Sequence, residues 1–329
     1  MKFFIGMVLR FTIFITLVMS LICLMTLAVG GNLPPAPRIV YMAEKTDTQS
    51  WDLFMLDMRV GVTIRLTESR FINERYPKWS SDGQYIAYHA NSRESNLYDI
   101  HITSVNNPNT STKPFITDSN MGAFAIAYDK AMPAWSWDDR QLGFHAKTDT
   151  GYYGLFIGNA DGTQLHMLVN PPGRGDVLHF AWSPNNRQIA FTQSTTGRIN
   201  IYLLTLPEQI QFASTNRANM QLLAEDASFP AWSPDGTKIA YVHQFADAQT
   251  IWIYDIANQT HYPLTDTTMP GKTHLHPAWS SDSEYIIFAS DHANSLAQKF
   301  NLYRIRLDGR ELHQLTFGTE NKLAPDWTD

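Results

Sequence analysis

Four histidines, His89, His145, His274 and His276, are the residues best suited to chemistry in this sequence. Neutral imidazole binds zinc, manganese or iron through either ring nitrogen. On a strand, the two-residue spacing of His274 and His276 places both side chains on one face. Further polar and ionisable residues accompany them: Glu74, Arg75, Arg93, Asp129, Asp176, His179, Asp226, His243, His292 and Glu320. Such a set suits either a metal-assisted reaction or the binding of a polar ligand without chemistry, and a merely solvated loop surface is the third reading. Other chemistries lack their residues. The sequence contains no Gly-x-Ser-x-Gly elbow, phosphate loop, dinucleotide fingerprint or His-Glu-x-x-His helix. One cysteine, Cys23, excludes a disulfide framework, a zinc ribbon and a Cys-x-x-Cys redox pair.

The elements that must position these residues form a repeat. Pro77-Lys78-Trp79-Ser80-Ser81-Asp82-Gly83 returns around Trp135, Trp182, Trp232 and Trp279, and a truncated copy, Pro325-Asp326-Trp327-Thr328, closes the sequence. The tryptophans stand 56, 47, 50, 47 and 48 residues apart, a period that with strand-like content predicts propeller blades. Each unit reads as a Trp strand, a tight Asp-Gly type turn needing positive φ, a second strand such as Ile239-Ala240-Tyr241, a third such as Asn301-Leu302-Tyr303, and an outer strand ending near Leu-Thr. The first unit, from Arg38, lacks its Trp strand, and the last Trp strand lacks partners. Pairing them closes a six-bladed, all-β ring of four-stranded blades over 38–329 and removes two open sheet edges.

Invariant positions build the ring. The repeated tryptophans are expected between blades, with Tyr41, Tyr88, Phe144, Phe191, Tyr241 and Phe288 as packing residues. Function is expected where the repeats differ. The loops entering the Trp strands carry Glu74, Arg75, Asp129, Asp176, His179, Asp226, His274, His276 and Glu320; those after the second strands carry His89, Arg93, His145, His243 and His292. All are predicted on one face, around a central channel. Insertions at 207–219 and 120–131 are candidate partner contacts or local lids.

Residues 11–29 contain no charged side chain, and 19 residues make about 28 Å of helix, close to a hydrocarbon core of about 30 Å. Residues 1–30 are therefore expected to form an apolar helix, either an uncleaved signal anchor or a cleaved signal peptide. Lys2 and Arg10 keep its N-terminus cytoplasmic and leave the propeller extracytoplasmic, periplasmic or extracellular. Residues 31–37 are a Gly/Pro linker. A net charge of −6 offers no electrostatic reason to bind nucleic acid.

Phe229-Pro230-Ala231-Trp232-Ser233-Pro234-Asp235-Gly236-Thr237-Lys238-Ile239-Ala240-Tyr241 resembles the repeat of the TolB-type, WD-repeat-like propellers of bacterial envelope proteins. The resemblance covers about nine tenths of the sequence. TolB itself carries a small α/β domain before its propeller, where this sequence has only the linker. The resemblance implies a six-bladed propeller at a cell envelope. The functional expectation is a membrane-tethered, non-catalytic platform for a protein, peptide or cell-envelope ligand, with no cofactor required. The alternative is a metal-assisted lyase or hydrolase on an envelope saccharide, with a transition metal held by His89, His145, His274 and His276.

Overall fold

The computed structural model describes residues 36–48, 50–69, 72–91, 97–106, 129–170, 175–195, 197–207, 219–245, 247–265, 273–291 and 299–329. The apolar stretch 11–29, the linker up to residue 35, Arg93, His292 and most of both insertions lie outside them. Among the described residues no helix is long and apolar enough to cross a membrane.

Period-two alternation becomes six antiparallel sheets. Blade 1 joins β1 (Arg38–Glu44), β2 (Trp51–Asp57) and β3 (Val62–Arg65) to the last strand, β23 (Lys322–Thr328). Blade 2 shows three strands among the described residues: β4 (Glu74–Trp79), β5 (Tyr85–Asn91) and β6 (Tyr98–Ser104). Blade 3 is β7 (Lys130–Trp135), β8 (Gln141–Lys147), β9 (Tyr153–Asn159) and β10 (His166–Val169). Blade 4 is β11 (Val177–Trp182), β12 (Gln188–Thr195), β13 (Arg198–Thr205) and β14 (Met220–Ala224). Blade 5 is β15 (Ala227–Trp232), β16 (Lys238–Phe245), β17 (Ala248–Asp255) and β18 (Thr260–Pro263). Blade 6 is β19 (His274–Trp279), β20 (Tyr285–Ser290), β21 (Asn301–Arg306) and β22 (His313–Gln314). The expected closure is present: Trp327 of β23 stands opposite Ile39 of β1.

The core lies between blades rather than at one centre. One cluster joins Val242, Ile251 and Ile253 of blade 5 to Trp279, Ile286 and Phe288 of blade 6. The six packing aromatics named above are all buried. Two of the repeat tryptophans serve as blade-to-blade clamps: Nε1 of Trp182 donates to the Ala134 carbonyl at 3.2 Å, and Nε1 of Trp279 to that of Ala231 at 2.9 Å. Burying a side chain of this size stabilises the ring by roughly 2–3 kcal/mol.

The hairpin after each tryptophan is built by its serine. The hydroxyls of Ser80, Ser136, Ser183, Ser233 and Ser280 donate to the Asp or Asn two residues on, at 2.5–2.7 Å. They accept the first N–H of the second strand at 2.8–2.9 Å. The next residue along the turn is left-handed in each blade, whether Gly83, Asp139, Asn186, Gly236 or Ser283. Asp139 and Asn186 use the position to accept backbone N–H groups of the preceding blade, from Ser81 and Asp82 and from Trp137. Gly236 instead lies against Pro184, which has no N–H to give.

Candidate functional site

Each innermost strand carries a left-handed residue three positions before its tryptophan: Tyr76, Met132, His179, Phe229, His276 and Ala324, with φ of 50°, 53°, 36°, 54°, 54° and 49°. Non-glycine residues there cost about 1 kcal/mol or more each, so the packing around them must impose the bulge. Register shifts accompany it where the innermost strand pairs with the second, between Arg75 and Lys78 or Leu275 and Ala278 for example. The bulge aims these side chains at the axis. Tyr76 lies 6.5 Å from His179 and 5.5 Å from His276, and Phe229 lies 3.7 and 4.4 Å from the same two rings. Blades 2, 4, 5 and 6 therefore meet in one aromatic cluster. On the turn side lies a cavity of about 360 Å³, lined by the six repeat tryptophans, with Lys78 and Asp326 as an ion pair in its wall.

The same bulge corrects one expectation. His274 and His276 do not share a strand face: His274 Nδ1 bonds the Ser290 hydroxyl at 2.9 Å and packs edge-on to Phe288, while His276 turns into the axial cluster. Alternation resets where φ turns positive, so two-residue spacing loses its meaning.

His89 and His145 occupy equivalent places on β5 and β8, as expected, but in the interior. His89 Nδ1 accepts the Met132 N–H at 2.9 Å, and its ring stands edge-on to Tyr98 at 4.8 Å. His145 packs edge-on to Phe180 at 5.1 Å, with both ring nitrogens enclosed and unpartnered. Burial lowers His89, His145 and His179 to about 3 and holds His276 well below the usual imidazole range, so all four are neutral. Among the described residues no three His, Cys, Asp or Glu side chains gather as ligands for a metal ion. His243 lies against Trp252 at 4.9 Å, and its pKa is lowered by burial against the opposing pull of Asp226.

Several carboxylates on the loop face have structural tasks. Six positions before the tryptophan, Asn73, Asp129, Asp176 and Asn321 accept the N–H that opens the third strand of the preceding blade: Trp51, Tyr98, Tyr153 and Phe300, at 3.2, 3.1, 2.8 and 3.1 Å. Asp129 also accepts the Tyr153 hydroxyl. The Asp226 N–H donates to Asn200, and Glu320 pairs with Lys322. Glu74 is buried beside Asp52, and desolvation raises its pKa to about 7. Asp52 is itself taken by Lys45 and Arg65.

Arg75 is different. Its guanidinium carbon sits 5.5 Å from the Trp51 ring centroid and 6.0 Å from that of Tyr98, with Nε enclosed and, among the described residues, with neither an acid partner nor a bond to Nε. Trp51, Tyr98 and Phe229 are not among the sequence candidates, whereas Tyr76 lies on a loop entering a Trp strand. The axial pair was legible as a column varying beside an otherwise repeating Pro-x-Trp; Trp51 and Tyr98 carry no comparable signal.

Residues 145–329 match the TolB beta propeller domain, more than half of the chain. A TolB homolog of Protochlamydia amoebophila is 38% identical over 66 residues, 20% of this chain and 14% of that protein. The uncharacterized peptidase YuxL of Bacillus subtilis is 36% identical over 105 residues, 30% of this chain and 15% of that protein. The matches thus span a small part of either curated relative. The crystal structure of TolB from Acinetobacter baumannii superposes with a TM-score of 0.68 at 19% identity, over 88% of this chain and 66% of that one, a likeness of fold.

Proposed function

The chain belongs to the TolB beta propeller domain family, and on that footing we propose that it is a non-catalytic binding platform at a cell envelope, tethered through residues 11–29. The loop-rich face, away from the Asp-Gly turns, captures a protein, peptide or envelope ligand. One observation carries this reading: Asn73, Asp129, Asp176 and Asn321 latch four of the six blade junctions on the loop face, so the described side chains beside them are held in fixed relative positions. A preorganised surface loses little entropy on association, which is what a binding face needs. The histidines that would serve a metal-assisted lyase are enclosed and directed to different neighbours.

The test places a photo-crosslinking residue at Glu68 or Glu225 on the loop face, and at Asp161 or Arg310 on the turn face. The full chain is then cross-linked in its native membrane fraction. A discrete adduct from the loop-face positions alone is the expected result. Adducts only from the turn face would overturn the assignment of the face, and none from any position would overturn the platform.

A further inference from the structure

We propose that Arg75 is a carboxylate-binding residue of the loop face, and that the carboxylate it receives belongs to a peptide segment of the partner. This rests on the binding-platform reading above and names the chemistry of that surface.

Arg75 leaves β4 where blades 1 and 2 adjoin. Trp51 opens the third strand of blade 1 and Tyr98 that of blade 2, and the guanidinium is held against both rings. Among the described residues the acids flanking these rings are otherwise engaged. Asp52 belongs to Lys45 and Arg65, Asp99 to Lys130, and Asp129 to Tyr153 and the Tyr98 N–H. Glu74, its neighbour in sequence, is buried against Asp52, and its raised pKa limits the negative charge it adds. Among the described residues Arg75 is therefore a cation without a counter-charge, in a chain of net charge −6.

An arginine in that state has unused bonding capacity. Its five N–H donors lie in a planar fork that matches a carboxylate in two parallel bonds, and the aromatic contacts reduce the rotamer freedom lost on binding. A phosphate dianion fits less well. The other nearby cations, Lys45, Arg65 and Lys130, are already paired, and Asp99 and Asp129 are close by, so the surroundings suit a single negative charge. A uronic saccharide also carries a carboxylate, but sugars gain much of their affinity by stacking on open aromatic faces. Here the guanidinium covers a face of Trp51 and of Tyr98, and the His89 ring meets Tyr98 as well. A peptide needs no such platform.

The full chain in detergent is titrated with four probes: the fluorescent hexapeptide Gly-Ser-Gly-Ser-Gly-Glu with free or amidated C-terminus, the amidated peptide with Gln in place of Glu, and digalacturonate as competitor. Saturable binding of the Glu peptides is expected, weakened by added salt and lost with Gln. The free-against-amidated comparison shows whether a chain terminus or a side chain supplies the group. R75Q should lower affinity about tenfold or more, and R75K should recover only part, because an ammonium cannot make the paired bonds. Thermal unfolding of both variants checks that the fold is kept. Equal binding of Glu and Gln peptides, binding unchanged in R75Q, preference for digalacturonate, or no saturable binding by any probe would each overturn the assignment. Loop-face crosslinks that persist in R75Q would leave the platform standing while this site falls.

Discussion

The carboxylate of Asp326 accepts the Trp79 N–H and the Lys78 ammonium, each at 2.8 Å, although 247 and 248 residues separate them. The closing strand β23 thus holds its own blade through Ile39 and the following blade through one side chain. In the four blades that precede it the residue before the tryptophan is alanine, at 134, 181, 231 and 278.

Removing that carboxylate should loosen the closure. Asp326→Ala is expected to destabilise the chain by about 2–3 kcal/mol in urea unfolding, because it removes a charge-assisted bond to a backbone N–H as well as the lysine contact. Lys78→Met should cost no more than about 1 kcal/mol, since that ammonium is partly exposed. Equal losses in the two variants would show that the ion pair, not the backbone bond, holds the strand.

Gly143 on β8 is matched to Phe180 on β11. Phe180 replaces the proline that stands two residues before the tryptophan in the other five copies, and a Cβ on Gly143 would lie 2.5 Å from its ring. Gly143→Ala should cost about 1–3 kcal/mol by overpacking, and Phe180→Ala in the same chain should relieve that clash. A double-mutant cycle with no coupling would refute the match.

Glu74 makes stability fall with rising pH. Its folded pKa, raised to about 7 by burial and by Asp52, lies above the unfolded 4.5, so between these values the folded chain holds the extra proton. The unfolding free energy therefore decreases from pH 4.5 to 7 through this group. Glu74→Gln, which keeps a donor toward Asp52, should flatten that decline and raise the melting temperature at pH 8 but not at pH 4. An increase of equal size at both pH values would point to packing instead.

The buried histidines act with the opposite sign. With folded pKa values lowered to about 3, His89, His145 and His179 give stability that is present above pH 6.5 and lost as pH falls below it, since the unfolded chain takes up protons first. Acid unfolding is expected well above pH 3, and His145→Leu should shift its midpoint to lower pH. A midpoint that does not move would mean that His145 is already solvated in the folded chain.

Much of the ring was legible in local pattern. Trp79 to Trp327 recur at blade spacing because each needs the same pocket against a neighbour, and Ser80, Asp82 and Gly83 recur because one turn geometry requires them. The closure followed from Arg38-Ile39-Val40-Tyr41 lacking an inner partner. The latches at Asn73 and Asp129 were less legible: a loop amide or carboxylate oxygen spent on a neighbour's backbone N–H looks the same in sequence as one left for a ligand.

The sequence by itself determined the repeat, the six blades and the all-β class, since alternation, turns and tryptophan spacing are decided within some fifty residues. Only the tertiary structure decided that His274 and His276 part company at a left-handed bulge, that Tyr76, His179, Phe229 and His276 meet on the axis, and that Arg75 lies between the rings of Trp51 and Tyr98. Those outcomes depend on which side chains from different blades fill the same space. Contacts across a closed ring are set by packing between distant segments, and no local pattern encodes them.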